Sequence, residues 1–365
     1  MRLLENKLYL EDLQTVCSLH LPWEELEGKG ILISGATGMI GSTLIDVLML
    51  RNRAVSSEAE RIRAGCRVIA LGRSEEKARA RFQEYWDDPC FTFLQCDIND
   101  RESLERGCAQ ACPVVDYVFH AASNTHPVAY ASDPIGTVVT NIIGLDNLLY
   151  FAATHGCRRF LFASSNEIYG ENRGDVELFD EKYCGYIDCN TMRAGYPESK
   201  RAGETLCQAY IRQKGLDIVI PRFTRSFGPT LLSTDTKALS QFIRKGVAGE
   251  DIVLKSEGTQ FYSYTYICDA VSGFLYCLMK GERGEAYNIA DVSCDITLRE
   301  LAQTIADYVG TKVVFDLPDE VEAAGYSKAT KARLDGAKLR ALGWSPRFDM
   351  KTGLGHTIEI MRSVG

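Results

Sequence analysis

From Gly30 onward the chain alternates two patterns of apolar and polar positions. Short apolar runs, ILIS (31–34), RVIAL (67–71), FTFLQC (91–96), VDYVFHA (115–121), RFLFAS (159–164) and DIVIPRF (217–223), are separated by longer segments. In those segments, 39–52, 74–88, 134–156 and 196–214, apolar residues recur at spacings of three and four. The runs predict buried strands and the spaced segments predict amphipathic helices. Their alternation predicts an α/β protein built on a doubly wound parallel sheet. Residues 1–28 read as an acidic helical extension whose Leu3, Leu4, Leu8, Leu10 and Leu13 pack on the main body. After Pro229 the rhythm loosens into shorter elements, which predicts a smaller α/β lobe closing over the carboxyl edge of the sheet.

Composition narrows the function classes. The 365 residues are 45% apolar, enough for a substantial core, and the formal net charge is −8. No Lys/Arg-rich block is present, which argues against a nucleic-acid partner. The first 23 residues are broken by Glu5, Glu11 and Asp12 and do not read as a signal peptide. No uninterrupted run of about 18 apolar residues predicts a membrane span. The thirteen cysteines are odd in number and scattered without a CxxC pair. They read as reduced structural thiols, with no disulfide framework and no metal site, and the expected location is the cytoplasm.

The first apolar run ends in SGATGMIG, with glycines at 35, 38 and 41 between a strand and a helix. That context predicts a dinucleotide-binding turn. Gly35 permits the tight turn, Gly38 lets backbone N–H groups approach a pyrophosphate, and Gly41 lets the helix lie close to the strand. Thr37, Met39 and Ile40 complete the turn, and the helix they open offers its unpaired N–H groups to the phosphates. A carboxylate commonly ends the second strand to meet the ribose. Here the position is Gly72, followed by Arg73 and Ser74, which leans toward the 2′-phosphate of NADP rather than NAD. Asp97 and Ile98 are placed to hold the adenine. The predicted fold is therefore of the Rossmann type: an extension (1–28), a dinucleotide-binding domain carrying the catalytic residues (29–228), and a mainly substrate-binding lobe integrated with it (229–365).

Tyr196 and Lys200, in GYPESK, are four apart at the start of a predicted helix and share a face. A tyrosine with an ordinary pKa of about 10 needs roughly 4 kcal/mol to become a base at neutral pH. A nearby ammonium supplies an amount of that order. Ser165, just after a strand in FASSNEIYG, is placed to hydrogen-bond the hydroxyl or ketone on which Tyr196 acts, and Glu167 adds a second titratable group.

Together GATGMIG, HAAS (120–123), SSNEIYG and YPESK resemble the extended short-chain dehydrogenase/reductases that act on nucleotide sugars, the NAD-dependent epimerase/dehydratase family. The resemblance runs from about residue 29 to the C-terminus and looks most like the UDP-glucuronate decarboxylases, with the 4,6-dehydratases next. It implies transient oxidation of a sugar nucleotide at C4 by tightly held NAD or NADP, then epimerisation, elimination or decarboxylation. It implies that Glu167 acts beside the ketone, that Ala121, Ala122, Ser123, Asn141 and Phe223 border the cofactor, and that Pro127, Tyr130 and Asn166 border the substrate. It also implies a homodimer through helices near 136–155 and 196–214. Two positions depart from the family pattern. RFTRSFGP has Arg225 where RxxNxFGP has asparagine, and GTQFYSYTYICD has Tyr262 where an arginine contacts the diphosphate. Both remain substrate-binding candidates, and a sugar phosphate is the alternative substrate. The competing functions are a net NADPH-dependent reductase of a keto-sugar or sugar phosphate, and a non-catalytic dinucleotide-binding protein.

Overall fold

The computed structural model describes residues 2–54, 57–111, 114–125, 132–316 and 331–365. Its centre is an eight-stranded sheet. The strands are β1 (Gly30–Ser34), β2 (Arg67–Gly72), β3 (Phe91–Gln95), β4 (Tyr117–His120), β5 (Arg159–Phe162), β6 (Ser164–Ser165) and β7 (Ile218–Phe223). The short strands β8 (Arg225–Phe227), β9 (Ile252–Leu254) and β10 (Phe261–Tyr266) lie outside it, and β11 (Ala286–Ile289) completes it. The order β11-β7-β5-β4-β1-β2-β3 reverses direction beside β1, and the pairings are parallel. This is the doubly wound architecture expected from the alternating pattern, with its crevice between β1 and β4. All five residues of β1 and all six of β7 are buried, as strands covered on both faces require.

Pro221 sits inside β7 and has no N–H to donate. The ladder accommodates it by a break: β5 pairs with β7 only as far as Leu161↔Val219, and β6 resumes at Ser164↔Arg222 and Ser165↔Phe223. Pro221 falls in the gap, and the same interruption lifts Ser165 to the end of the sheet.

The helices that matter for the site are α1 (Lys7–Cys17), α2 (Met39–Arg53), α3 (Pro134–Thr154), α4 (Gly195–Lys214), α5 (Ala238–Ala248), α6 (Ile267–Lys280) and α7 (Met350–Val364). Of the five leucines of the extension expected to pack on the main body, Leu13 is buried and Leu3, Leu4 and Leu8 pack against the core, while Leu10 is half-buried outside it. Buried polar contacts fasten it. The Tyr9 hydroxyl donates to Asp46 on α2 at 2.6 Å, and Asp12 accepts from Tyr266 at 2.6 Å and contacts His356 Nδ1 at 2.8 Å. Beyond Pro229 the small lobe is formed around β10, which pairs with β8, with β12 (Asp295–Thr297) and with β14 (Lys331–Ala332). β9 pairs with β13 (Val313–Phe315). β11 and α6 come from the same stretch of chain yet complete the large sheet and its core.

α3 spans 21 residues and is long and apolar enough, by length and composition alone, to cross a bilayer, but half of it is buried inside the protein. A wide turn at Thr140–Gly144 interrupts its regular winding. Its outer side exposes Ile135, Val138, Ile143 and Tyr150.

Candidate active site

The carboxyl ends of β1, β2, β4, β6 and β7 open into one cleft of about 920 Å³, roofed by the small lobe. At its centre Gly35 has φ +70°, and a Cβ there would stand 2.7 Å from the Ala122 nitrogen. A Cβ on Gly41 would stand 2.6 Å from the Gly35 carbonyl oxygen. Any side chain at these two positions would fill the cradle between β1, β4 and α2. Gly38 is the N-cap of α2 and no side chain caps it, which leaves the first N–H groups of the helix for a ligand. Thr37, Met39 and Ile40 line the same wall. This cradle fits a dinucleotide pyrophosphate.

Beneath it His120 is fully buried, with Nδ1 2.8 Å from the Ser34 hydroxyl, and Ser34 accepts from the Ala122 N–H at 3.4 Å. Burial, reinforced by the Lys200 charge, holds the imidazole well below its usual pKa. It is a neutral prop for the Ala121–Ala122 turn.

At the adenosine end, Gly72, Arg73, Asp97, Ile98 and Asn99 line the cleft. Arg73 is exposed at the rim, and Asp97 accepts from the Asn99 N–H at 3.0 Å. Ser74 is not in this wall. Its hydroxyl accepts the Lys77 N–H at 3.3 Å and caps the helix Glu75–Phe82, an occupation that a serine followed by two glutamates favours.

The reacting end gathers Ser165, Asn166, Glu167, Tyr196 and Lys200 with Ala121, Ala122, Ser123 and Phe223. Ser165 caps a short turn, Asn166–Tyr169, by accepting the Glu167 N–H at 3.2 Å, so the serine fixes the course of the backbone that carries Glu167. Lys200 is 2% exposed and donates to the Ala163 carbonyl at 2.8 Å. Its ammonium lies 4.7 Å from the Phe162 ring centroid and 5.9 Å from that of Tyr196. Burial pushes this lysine down to about 7, with Glu204 acting in the opposite direction.

Asn141 is also absent from the wall. It is fully buried beneath α4, where Nδ2 donates to the Ser199 hydroxyl at 2.8 Å and Ser199 donates to the Tyr196 carbonyl at 2.9 Å. The asparagine therefore braces the turn that carries Tyr196 and Lys200 rather than bordering a cofactor. Pro127 and Tyr130 lie outside the described residues.

Other supports were not singled out from the sequence. Arg222 donates to Glu204 at 2.9 and 2.6 Å and to the Tyr169 hydroxyl at 2.9 Å, and Tyr169 donates to Asn288 at 2.6 Å. Glu204 also accepts from Ser164 at 2.5 Å. This network ties β6, β7, β11 and α4 below the floor. Arg193 reaches the cleft from three residues before Tyr196, a spacing that could have marked it.

The two unusual positions meet. Arg225 opens β8 and Tyr262 lies on β10, and the pairing Arg225↔Tyr264 brings them together. The guanidinium stacks 3.8 Å from the Tyr262 ring centroid, and Nη2 is 3.9 Å from a Glu167 carboxylate oxygen.

Known proteins resemble both the fold and the chain. A UDP-glucuronic acid decarboxylase of Arabidopsis thaliana (isoform 5) is 30% identical over 328 residues, covering 89% of this chain and 86% of that protein. The structure of a dTDP-glucose 4,6-dehydratase of Streptomyces venezuelae, a double mutant with NAD bound, is 26% identical with a TM-score of 0.75, covering 91% of this chain and 96% of that one. A UDP-glucose 4-epimerase of Thermotoga maritima, solved with UDP-glucose, has the same fold at 24% identity and a TM-score of 0.77, with 92% and 99% covered. Residues 31–290 match the model of one family across the glycine turn, the catalytic stretch and β11, and the chain belongs to the NAD-dependent epimerase/dehydratase family.

Proposed function

We propose that the protein is an NAD(P)-dependent nucleotide-sugar enzyme, a decarboxylase, 4,6-dehydratase or epimerase, that works through transient oxidation at C4 of the sugar. One observation carries the reading: Ser165, Glu167, Tyr196 and Lys200 converge in the cleft that holds the glycine cradle. The bound dinucleotide supplies a hydride acceptor and a positive charge. Tyr196 takes the proton of the sugar hydroxyl, which Ser165 orients. The Lys200 ammonium, 5.9 Å from the Tyr196 ring centroid, favours the tyrosinate over the neutral phenol, and the positive charge of the bound dinucleotide adds to that effect. Glu167 moves the proton beside the ketone in the second step.

Tyr196→Phe tests this with UDP-glucuronate, UDP-glucose and dTDP-glucose as substrates. Turnover of one of them by the wild type, lost by at least a thousandfold in the variant, is expected. Undiminished turnover would sink the assignment.

The cofactor choice rests on the rim. Gly72 offers no carboxylate and Arg73 offers a guanidinium, which supports NADP. With Arg225 and Tyr262, the same features support a second reading, a net reductase of a keto-sugar or sugar phosphate. That reaction consumes NADPH stoichiometrically, whereas a recycling enzyme does not.

The reading includes a homodimer, supported by the apolar side of α3, where Ile135 is 78% and Ile143 46% exposed. It also places the enzyme in the cytoplasm, supported by buried thiols such as Cys66, Cys207 and Cys277.

A further inference from the structure

The substrate end of the cleft holds more positive charge than the protein itself neutralises. Arg225 and Arg193 both line it, and Glu167 is the carboxylate that faces Arg225. At 3.9 Å that contact is an ion pair without a hydrogen bond. The guanidinium makes no hydrogen bond to any described residue, and its Nη1 is sealed from water without a partner. A guanidinium has five N–H donors, and leaving them unmet in a half-buried place is unfavourable. Tyr262 adds an attractive ring face but no acceptor along the N–H edge. Two neighbours therefore fix the plane of Arg225 while its hydrogen-bonding edge stays unmatched.

Its position says what would match it. Ser165 pairs with Phe223, and Arg225 is two residues further along, so the guanidinium stands next to the Ser165–Glu167 turn. We propose that Arg225 is the anion ligand of the substrate subsite, taking an oxyanion that the substrate carries beside its reacting carbons, with Tyr262 as the platform that holds the guanidinium flat. The inference rests on the nucleotide-sugar reading and sharpens it. The oxyanion is either a carboxylate on the sugar or the phosphate attached to it, both of which match a guanidinium fork.

Calorimetric titration of the cofactor-saturated wild type, Arg225→Asn and Arg225→Lys with UDP-glucuronate, UDP-glucose and UMP separates the cases. If the oxyanion is the sugar carboxylate, Arg225→Asn weakens UDP-glucuronate at least thirtyfold and UDP-glucose less than twofold. If it is the sugar-linked phosphate, both sugar nucleotides weaken at least thirtyfold and UMP less than threefold. In either case Arg225→Lys, which keeps the charge and loses the fork, falls between wild type and Arg225→Asn, and it keeps the test open if the asparagine variant misfolds. Affinities within twofold of wild type for all three ligands in both variants overturn the role of Arg225 and leave the nucleotide-sugar reading standing. A wild type that binds none of the three, and does not bind dTDP-glucose either, overturns that reading and the proposal with it.

Discussion

Lys200 is expected to weaken the fold that it serves. Its ammonium is buried, and its pKa falls from an ordinary 10.5 to about 7. At about 1.4 kcal/mol per pH unit, that burial costs roughly 5 kcal/mol whenever the folded protein is forced to keep the charge. Replacing Lys200 by methionine removes the burden, and also removes the hydrogen bond to Ala163 and the stack on Phe162. These losses return about 2–3 kcal/mol. The cofactor-free Lys200→Met protein should therefore be about 2 kcal/mol more stable than wild type at pH 6, a rise of a few degrees in thermal midpoint, while having lost its activity. The pH dependence has a definite sign. Below pH 7 the lysine is protonated in both folded and unfolded states and the burden is complete. Between pH 7 and 10.5 the folded state sheds the proton first, so wild type gains on the variant by up to about 1.4 kcal/mol per pH unit. Differential scanning calorimetry at pH 6 and pH 9 reads both effects. A variant that melts at or below wild type at pH 6, or a difference that does not shrink by pH 9, would refute the burial argument.

Gly41→Ala sets a Cβ 2.6 Å from the Gly35 carbonyl, a clash of backbone against backbone, and should weaken dinucleotide binding at least tenfold in a fluorescence titration while secondary structure is kept. Gly72→Asp meets only the edge of Phe93 at 3.5 Å, so it should fold normally and shift the ratio of NADP to NAD affinity toward NAD by tenfold or more. An unchanged ratio would remove Gly72 from cofactor selection. Ile143→Asp places a charge on the exposed side of α3 and should convert a dimer into a monomer in sedimentation, with the thermal midpoint of the monomer at micromolar concentration as the control for folding.

The strands β1–β5 and β7 were legible because burial on both faces leaves uninterrupted apolar runs, and their observed ends fall within about two residues of those runs, whereas β11 joins the large sheet from a stretch that the sequence pattern assigns to the small lobe. The glycine turn was legible because a steric need, unlike a contact, is written in a single residue type. What hid the rest differs from case to case. Ser74 reads equally as a cofactor ligand or a helix cap until its hydroxyl is seen to accept from Lys77. The resemblance places Asn141 beside the cofactor, and only the fold shows its side chain buried in the wide turn Thr140–Gly144 and donating to Ser199. The role of the extension depends on pairs far apart in the chain, Tyr9 with Asp46 and Asp12 with Tyr266 and His356, which no local pattern records.

Arg225 and Tyr262 show how two apparent departures become one arrangement. In the sequence they are separated by 36 residues, one a cation gained and the other a cation lost. The parallel pairing of β8 with β10 removes that separation and stacks the guanidinium on the ring. The subsite thus keeps an arginine, carried on the strand that follows Ser165's partner rather than on β10. An arginine on β8 lies 3.9 Å from a Glu167 carboxylate oxygen, beside the turn that Ser165 caps. A tyrosine on β10 cannot pair with a phosphate as an arginine does, but it can hold another arginine's plane still. Moving the cation therefore changes where along the cleft an oxyanion of the substrate would be met, and the titration with UDP-glucuronate, UDP-glucose and UMP reads whether that oxyanion is the sugar's carboxylate or its phosphate.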